Sequence, residues 1–164
     1  MNPLQPAEDL IEHFEGRYRA PYLCPARLPT VGVGHLIKRY EFERYGVIEP
    51  RPRVFRLIDP DAHAISYEEI DAIFAMDVAG KAAGVMGLVK RGLTPNQFGA
   101  LLSFAFNLGI GNLRSSTLLK VVNSGHDEEV RPQLMRWVHS RGRVLSGLIR
   151  RRQAEADLYE RVNQ

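Results

Sequence analysis

Three side chains that could act together in catalysis lie in one short segment near the N-terminus: Glu15, Cys24 and Thr30. Gly16 predicts that a helix ends at Glu15, which places this carboxylate at the negative end of the helix dipole. The dipole disfavours the ionised form, and desolvation by a neighbour such as Phe14 acts in the same direction. A carboxyl group that stays protonated near neutral pH can serve as an acid catalyst, although helix-terminal glutamates are more often solvated surface residues.

Cys24 is the single cysteine of the chain. One cysteine excludes an intramolecular disulfide and gives no basis for a cysteine-ligated zinc site, so we expect neither a metal nor a cofactor. A thiol acts in catalysis only when it is at least partly deprotonated, which positive neighbours favour. Three arginines lie near it in sequence and could supply that positive charge, namely Arg17, Arg19 and Arg27. The inert alternative is a small buried side chain that only fills space.

The segment that carries these residues is predicted to be a helix followed by a small sheet. Apolar residues at helical spacing predict a helix from about residue 7 to Glu15. From Tyr18 to Val33, short apolar pieces alternate with prolines and end in glycines, a pattern that favours short strands and turns. We therefore expect the carboxyl group of Glu15 at a groove between the helix and the sheet.

Two capping patterns predict helices in the second half of the chain. Ser66 is followed three residues later by Glu69, which together form a capping box. Thr94 is a good N-cap, and Gly109 is a good helix stop. The stretch between them is apolar on all sides, so we predict that it is the central buried helix.

The rest of the chain is predicted to be helical except for one long stretch. Further helices are expected near residues 115–123, 127–139 and 144–162. Residues 37–64 mix charged, aromatic and proline residues, which predicts a long connection or a small subdomain with a short helix over Tyr40–Tyr45. Together these elements predict an α+β fold that is predominantly helical, with a small N-terminal sheet.

The net charge is +3, and the positive charge is concentrated in the C-terminal third. Such a surface favours a polyanion (nucleic acid, an anionic membrane or an anionic cell-wall polymer), or it is only a solvated helix face. The arginines concerned are Arg131, Arg136, Arg141, Arg143, Arg150, Arg151, Arg152 and Arg161. No apolar run approaches the roughly 20 residues needed to span a bilayer. The N-terminus also lacks the basic and apolar regions of a secretory signal.

Four stretches, in order along the chain, resemble the phage-type (T4/P22-like) lysozyme family. The spacing Glu15, eight residues, Cys24, five residues and Thr30, followed by VGVGHL, is similar to that family's active-site signature. The other three stretches are ISYEEIDAIFAMDVA, NQFGALLSFAFNLGIGNLRSSTLL, and Trp137 with GLIRRRQAEADLY. The resemblance covers most of the chain apart from roughly residues 37–64.

This resemblance implies a single lysozyme-like, two-lobed domain over residues 1–164. A small β-containing lobe would span about 16–64, and a helical lobe would span about 65–164 and include the N-terminal helix. The implied activity is that of an endolysin that hydrolyses the β-1,4 bond between N-acetylmuramic acid and N-acetylglucosamine in peptidoglycan and so lyses a bacterial host.

The same resemblance implies partners and a location. The partners are a peptidoglycan glycan strand and, for release, a phage holin; we expect no specific nucleic acid, no transmembrane segment and a monomeric chain. The protein would stay in the host cytoplasm until holin-dependent release and would then act in the periplasm and on the cell wall.

Carried over by position, the resemblance makes Glu15 the general acid that protonates the leaving glycosidic oxygen, and Thr30 a residue that positions the attacking water. Cys24 stands where the family more often has aspartate. Its open roles are base for the water, electrostatic support for the transition state, and nucleophile, of which we favour the first two. A second acid supplied by Glu41 or Glu43 is a further alternative.

The resemblance also assigns residues around this catalytic group. His35 and Asp77 would form a structural salt bridge between the lobes. Four residues would line the sugar cleft: Leu36, Phe106, Asn107 and Ser116. Phe106 could equally be core packing, and the two polar residues could equally be caps or turn residues.

Three other functions compete with this hypothesis. A lytic transglycosylase cleaves the same bond without water and works with a single glutamate. A basic module would use the arginine-rich C-terminal helix to bind a polyanion, but the intact spacing of Glu15, Cys24 and Thr30 argues against binding alone. The C-terminal helix could also add outer-membrane disruption to hydrolysis, although its apolar residues at every fourth position fit core packing better.

Overall fold

The computed structural model describes residues 2–140 and 142–161. Arg141 and Val162, which the sequence analysis places in the basic cluster and the last helix, lie outside the described residues. The chain divides into two compact units, one of Glu15–Asp77 and one of Met1–Phe14 with Val78–Gln164. No helix within the described ranges is both long and apolar enough to cross a membrane.

Helix α1 (Gln5–Glu15) leads into a three-stranded sheet, as predicted. Gly16 adopts a positive φ of 73°, which glycine tolerates without strain and which ends the helix at Glu15. Strands β1 (Tyr18–Leu23), β2 (Pro29–Gly32) and β3 (His35–Leu36) pair antiparallel in that order. The prolines lie at strand ends and edges, where a missing N–H does not interrupt a ladder.

Residues 37–64 belong to the Glu15–Asp77 unit and contain a hairpin that the sequence analysis did not place. A short 3-10 helix (Arg39–Glu41) is followed by strands β4 (Val47–Arg51) and β5 (Val54–Leu57), which pair antiparallel. The helix predicted over Tyr40–Tyr45 is therefore wrong in extent. The register shifts between Ile48 and Arg51, and this irregularity accommodates Pro50, which cannot donate to the ladder.

Helix α2 (Tyr67–Met86) begins at the predicted capping box. Ser66 N donates to Glu69 Oε2 at 2.8 Å, and Glu69 N donates to Ser66 Oγ at 3.1 Å. These bonds satisfy two backbone N–H groups that a helix start leaves without partners. The bond from Ser66 N also lowers the pKa of the Glu69 carboxyl. The N-terminal half of α2 belongs to the Glu15–Asp77 unit.

Helix α3 (Pro95–Leu108) is the predicted central buried helix of the other unit. Thr94 caps it through Gln97 N, and its residues from Gly99 to Ala105 are all buried. At Gly99, a Cβ would lie 3.1 Å from Ala7 N, so glycine allows α1 and α3 to approach closely. Helix α3 also packs against the last helix, α7 (Ser146–Glu160).

The remaining helices are α4 (Ile110–Ser115), α5 (Thr117–Ser124) and α6 (Val130–Leu134), the last preceded by a 3-10 turn over Asp127–Glu129. The helix predicted near 127–139 is wrong beyond Leu134. There the chain forms strands β6 (His139–Ser140) and β7 (Arg143–Val144), which pair with each other. Gly142, with a φ of 74°, gives the intervening turn a conformation that a helix cannot contain. The predicted α+β, predominantly helical class is confirmed.

Candidate active site

Glu15 is the last residue of α1, and its half-buried carboxyl group lies against the β2–β3 turn. A Cβ atom added at Gly34 would lie 3.1 Å from Glu15 Oε2 and 3.2 Å from Glu15 Cδ. Gly34 has a φ of 69°, so glycine here both permits the turn and leaves room for the carboxyl group. The helix end and this turn together hold Glu15 next to the sheet.

Cys24 lies in the hairpin turn between β1 and β2. Its N–H donates to Leu28 O at 2.9 Å, and its carbonyl accepts from Arg27 N at 2.7 Å. Pro25 occupies the second turn position, which its fixed φ suits, and Arg27 takes a φ of 64°. The thiol is free and half-buried, so the turn holds it partly open to solvent.

Thr30 follows on the returning strand β2 and is only 2% exposed. Its hydroxyl donates to Leu28 O at 3.0 Å. That bond uses the one hydroxyl proton and leaves the oxygen's lone pairs to accept from another donor, such as water. Its strand neighbour on the other side is Leu36, which is 50% exposed.

Tyr22 is a fourth residue of this group, and the sequence analysis did not select it. It pairs directly with Thr30 across β1 and β2, so the two side chains share one face of the sheet. Burial raises the pKa of Tyr22 to about 12, and negative charge on Glu15, Tyr18 and Cys24 acts in the same direction. The phenol therefore stays neutral, and both the glutamate and the cysteine disfavour its ionisation. The only signal for it in the sequence was its position opposite Thr30 across the turn.

His35 is buried and contacts two carboxylates. Its Nδ1 lies 2.7 Å from Asp77 Oδ2, and its Nε2 lies 3.4 Å from Glu41 Oε2. The hydrogen bond to Asp77 raises the pKa of His35; burial opposes this shift, and the charges of Asp77 and Glu41 reinforce it. The predicted contact between His35 and Asp77 is present, but both residues belong to the Glu15–Asp77 unit. The pair thus fastens α2 to the sheet within that unit.

Glu41, one of the two alternative acids, has its carboxylate engaged in this histidine cluster. The same Oε2 atom that faces His35 also accepts from Lys38 N at 2.8 Å. Glu43, the other alternative, lies exposed in the following turn. These contacts favour a structural role for Glu41 over the role of a second catalytic acid next to Glu15.

The arginines that sequence proximity suggested as neighbours of Cys24 make other contacts. Arg17 Nη2 lies 2.5 Å from Asp71 Oδ1, and Arg19 Nε donates to Ile65 O at 2.8 Å. Both guanidinium groups lie over the ring of Tyr67, at 5.6 and 5.5 Å from its centroid. These contacts direct the two arginines to the start of α2. Arg27 is exposed in the turn itself.

Three of the predicted cleft residues, Phe106, Asn107 and Ser116, lie in the unit formed by Met1–Phe14 and Val78–Gln164. Phe106 and Asn107 are half-buried near the end of α3. Asn107 Oδ1 accepts a hydrogen bond from Arg152 Nη2 at 3.0 Å. Ser116 is 4% exposed; its hydroxyl accepts from Leu119 N at 3.0 Å and donates to Leu113 O at 2.7 Å. Those two bonds give Ser116 the helix-cap role that the sequence also allowed.

The chain is similar to known phage proteins over most of its length. Residues 12–155 match the phage lysozyme family. The endolysin of an Acyrthosiphon pisum secondary endosymbiont phage is 35% identical over 155 residues, which cover 92% of each chain. The endolysin of Bacillus phage B103 is 35% identical over 164 residues, and the match covers 97% of this chain and 54% of that one. The present chain thus spans about half the length of the B103 relative.

The fold of the chain is also similar to that of a solved phage endolysin. The endolysin from Escherichia coli O157:H7 phage FAHEc1 superimposes with a TM-score of 0.76 at 29% sequence identity. The match covers 98% of this chain and 94% of that chain. The similarity therefore includes residues 37–64, which the sequence motifs do not cover.

Proposed function

The chain belongs to the phage lysozyme family, and we propose from this that it hydrolyses the β-1,4 bond between N-acetylmuramic acid and N-acetylglucosamine in peptidoglycan. The observation that carries the proposal is the grouping of Glu15, Tyr22, Cys24 and Thr30 around one helix end and one hairpin. Glu15 abuts Gly34. Tyr22 pairs with Thr30, and burial, Glu15 and Cys24 all disfavour ionisation of its phenol, which raises the pKa of Tyr22.

In the proposed reaction, Glu15 acts as the general acid. Its carboxyl proton passes to the glycosidic oxygen as the bond from that oxygen to the anomeric carbon breaks, and the carboxylate forms. The neutral phenol of Tyr22 adds no negative charge beside it. A donor that stays protonated is suited to the stabilisation of the new carboxylate.

Thr30 is proposed to orient the attacking water, and Cys24 is proposed to take a proton from it. The Thr30 hydroxyl already donates to Leu28 O, so its oxygen accepts an O–H of the water and orients the attacking lone pair. The Cys24 thiolate takes a proton from that water as its oxygen bonds to the anomeric carbon. The thiolate also supplies negative charge while the sugar is oxocarbenium-like. The proton then returns from the thiol to Glu15 through solvent, which restores both groups.

Peptidoglycan lies outside the cytoplasmic membrane, so the enzyme has to reach it. We propose release through a phage holin and action as a monomer on one glycan strand. Expression in Escherichia coli of the chain alone should leave the cells intact, and co-expression with a holin or treatment with chloroform should lyse them. Lysis by the chain alone would contradict holin dependence.

The test of the activity is clearing of chloroform-treated Gram-negative cells by the purified protein. Wild type should clear the suspension, and Glu15→Gln should lose clearing by about 10²-fold or more, the usual contribution of a general acid. Circular dichroism and thermal unfolding should show that the variant folds normally. Undiminished clearing by Glu15→Gln would refute the assignment of the acid.

A further inference from the structure

A cluster of charged side chains lies buried between α7 and α3. Arg151, Arg152 and Glu155 are 4%, 0% and 0% exposed. Glu155 Oε1 accepts from Ser103 Oγ at 2.8 Å and from Arg152 Nη2 at 2.9 Å, and Arg151 Nε lies 3.4 Å away. The guanidinium group of Arg152 also lies over the ring of Phe104, at 5.0 Å from its centroid.

This cluster is not well suited to stabilising the fold. Burial raises the pKa of Glu155 and lowers that of Arg152, and the opposite charges only partly offset the cost of removing both from water. Within the described part of the chain, Arg152 Nε, Arg152 Nη1 and Glu155 Oε2 have no hydrogen-bond partner. Apolar side chains of similar volume are often neutral or stabilising in place of such a pair. The cluster therefore calls for a role other than stability.

The cluster also contacts Asn107, near the end of α3. Arg152 Nη2 donates to Asn107 Oδ1 at 3.0 Å. A guanidinium group has donors only, so the atom of Asn107 that faces it has to be the amide oxygen. The two N–H groups of Asn107 then lie on the opposite branch of the amide, at the partly exposed end of α3.

We propose that Arg152, held by Glu155 and Ser103, is a positioning residue that fixes Asn107 as a donor-only contact for the glycan. The ligand group is an acceptor oxygen of an amino sugar, either an acetamido carbonyl or a hydroxyl. The inference rests on the proposed function, since it takes Asn107 as a residue that contacts the glycan. It adds that the buried charges act on substrate affinity through the orientation of one amide.

The test is a mutant cycle read as KM and kcat on solubilised peptidoglycan. Arg152→Met/Glu155→Met removes both charges at similar volume, and Asn107→Ala removes the contact. Each should raise KM about three- to tenfold with little change in kcat, the size expected for one neutral hydrogen bond. The triple variant should show no further increase, because both changes act through the same amide. Additive effects in the triple variant, or an unchanged KM in the double variant, would overturn the inference.

A second readout does not depend on activity. The side-chain amide resonances of Asn107, assigned in a 15N–1H spectrum by their loss in Asn107→Ala, should shift toward random-coil positions in the double variant. Unchanged resonances would overturn the inference even if KM rose. Should the double variant fail to fold, Arg152→Lys keeps the buried charge and moves the donor, and it should give the same shift and the same rise in KM.

The matched control is an exposed ion pair that joins α6 to the same last helix. Arg131 Nη2 lies 2.6 Å from Glu160 Oε2, with side chains 37% and 47% exposed. Arg131→Met/Glu160→Met should leave KM and the Asn107 resonances unchanged. If wild type has no hydrolytic activity, the proposed function fails and the amide resonances still test the positioning. If wild type is active and the cycle is additive, the positioning alone fails.

Discussion

Replacement of Gly34 by alanine should lower kcat by more than its effect on folding stability explains. A Cβ at residue 34 would lie 3.1 Å from Glu15 Oε2, so the carboxyl group has to retreat by a few tenths of an ångström. A misplacement of 1 Å at a reacting group costs about 10²-fold in rate, so this smaller shift should lower kcat about three- to tenfold. Alanine is also strained at the φ of 69°, whereas it lowers the conformational entropy of the unfolded chain, which favours folding. The net loss in the free energy of unfolding should be about 1 kcal/mol.

Gly125 offers a matched control for the backbone strain. Its φ is 78°, and a Cβ built there meets no atom within 4 Å. Both alanine variants should therefore lose about 1 kcal/mol in the free energy of unfolding, roughly 2–4 °C in Tm for a chain of this size. Only Gly34→Ala should lose kcat, measured as the initial rate on solubilised peptidoglycan at saturating substrate. Equal kcat values for the two variants would refute the placement of Glu15 against the β2–β3 turn as the catalytic position.

Three further predictions concern Cys24, Tyr22 and His35. Cys24→Asp should keep kcat within about tenfold of wild type, and Cys24→Ala should lose about 10²-fold or more; an alanine variant as active as wild type would mean that Cys24 only fills space. Tyr22→Phe should fold normally and lower kcat a few-fold, since the ring stays and the neutral donor is lost. The raised pKa of His35 means that protonation stabilises the folded state below the unfolded value of about 6.5, and this contribution is lost as pH rises through the higher folded pKa. Chemical denaturation should thus show the largest difference between wild type and Asp77→Asn near pH 6 and a smaller one by pH 8; a difference that grows with pH would contradict the ion pair.

Local sequence patterns predicted the elements that depend on neighbours in the chain. Gly16 ends α1 because its φ is positive, and the Ser66–Glu69 and Thr94–Gln97 pairs make the expected capping bonds. These features are readable because each arises within a few residues of backbone.

Features that depend on pairing between distant residues were harder to predict. Tyr22 joins the site through its register with Thr30, and no residue-type signal marks that register. The β4–β5 hairpin was missed because Pro50 suggested a loop, whereas a bulge accommodates it. Arg17 and Arg19 lie close to Cys24 in sequence, yet Arg17 contacts Asp71 and Arg19 donates to Ile65 O. Closeness in sequence does not predict where such long side chains point.

The helix predicted near 127–139 shows the same limitation. Apolar spacing favours a helix through Val138, but Leu145 N donates to Val138 O next to the paired strands β6 and β7, so the chain forms a hairpin here. The turn depends on Gly142, which lies beyond the predicted helix. Contacts with residues outside a segment thus determine where the helix within that segment ends.

If Glu15 drives cleavage of the glycosidic bond by water, the oxygen atom of that water has to appear in the product. Mass spectrometry of peptidoglycan fragments, produced by wild type and by Glu15→Gln in water enriched in 18O, measures this transfer. Wild type should give muramic acid reducing ends that each carry one 18O atom, and Glu15→Gln should give almost none. Products that end in 1,6-anhydromuramic acid, or equal 18O incorporation by Glu15→Gln, would contradict hydrolysis driven by this glutamate.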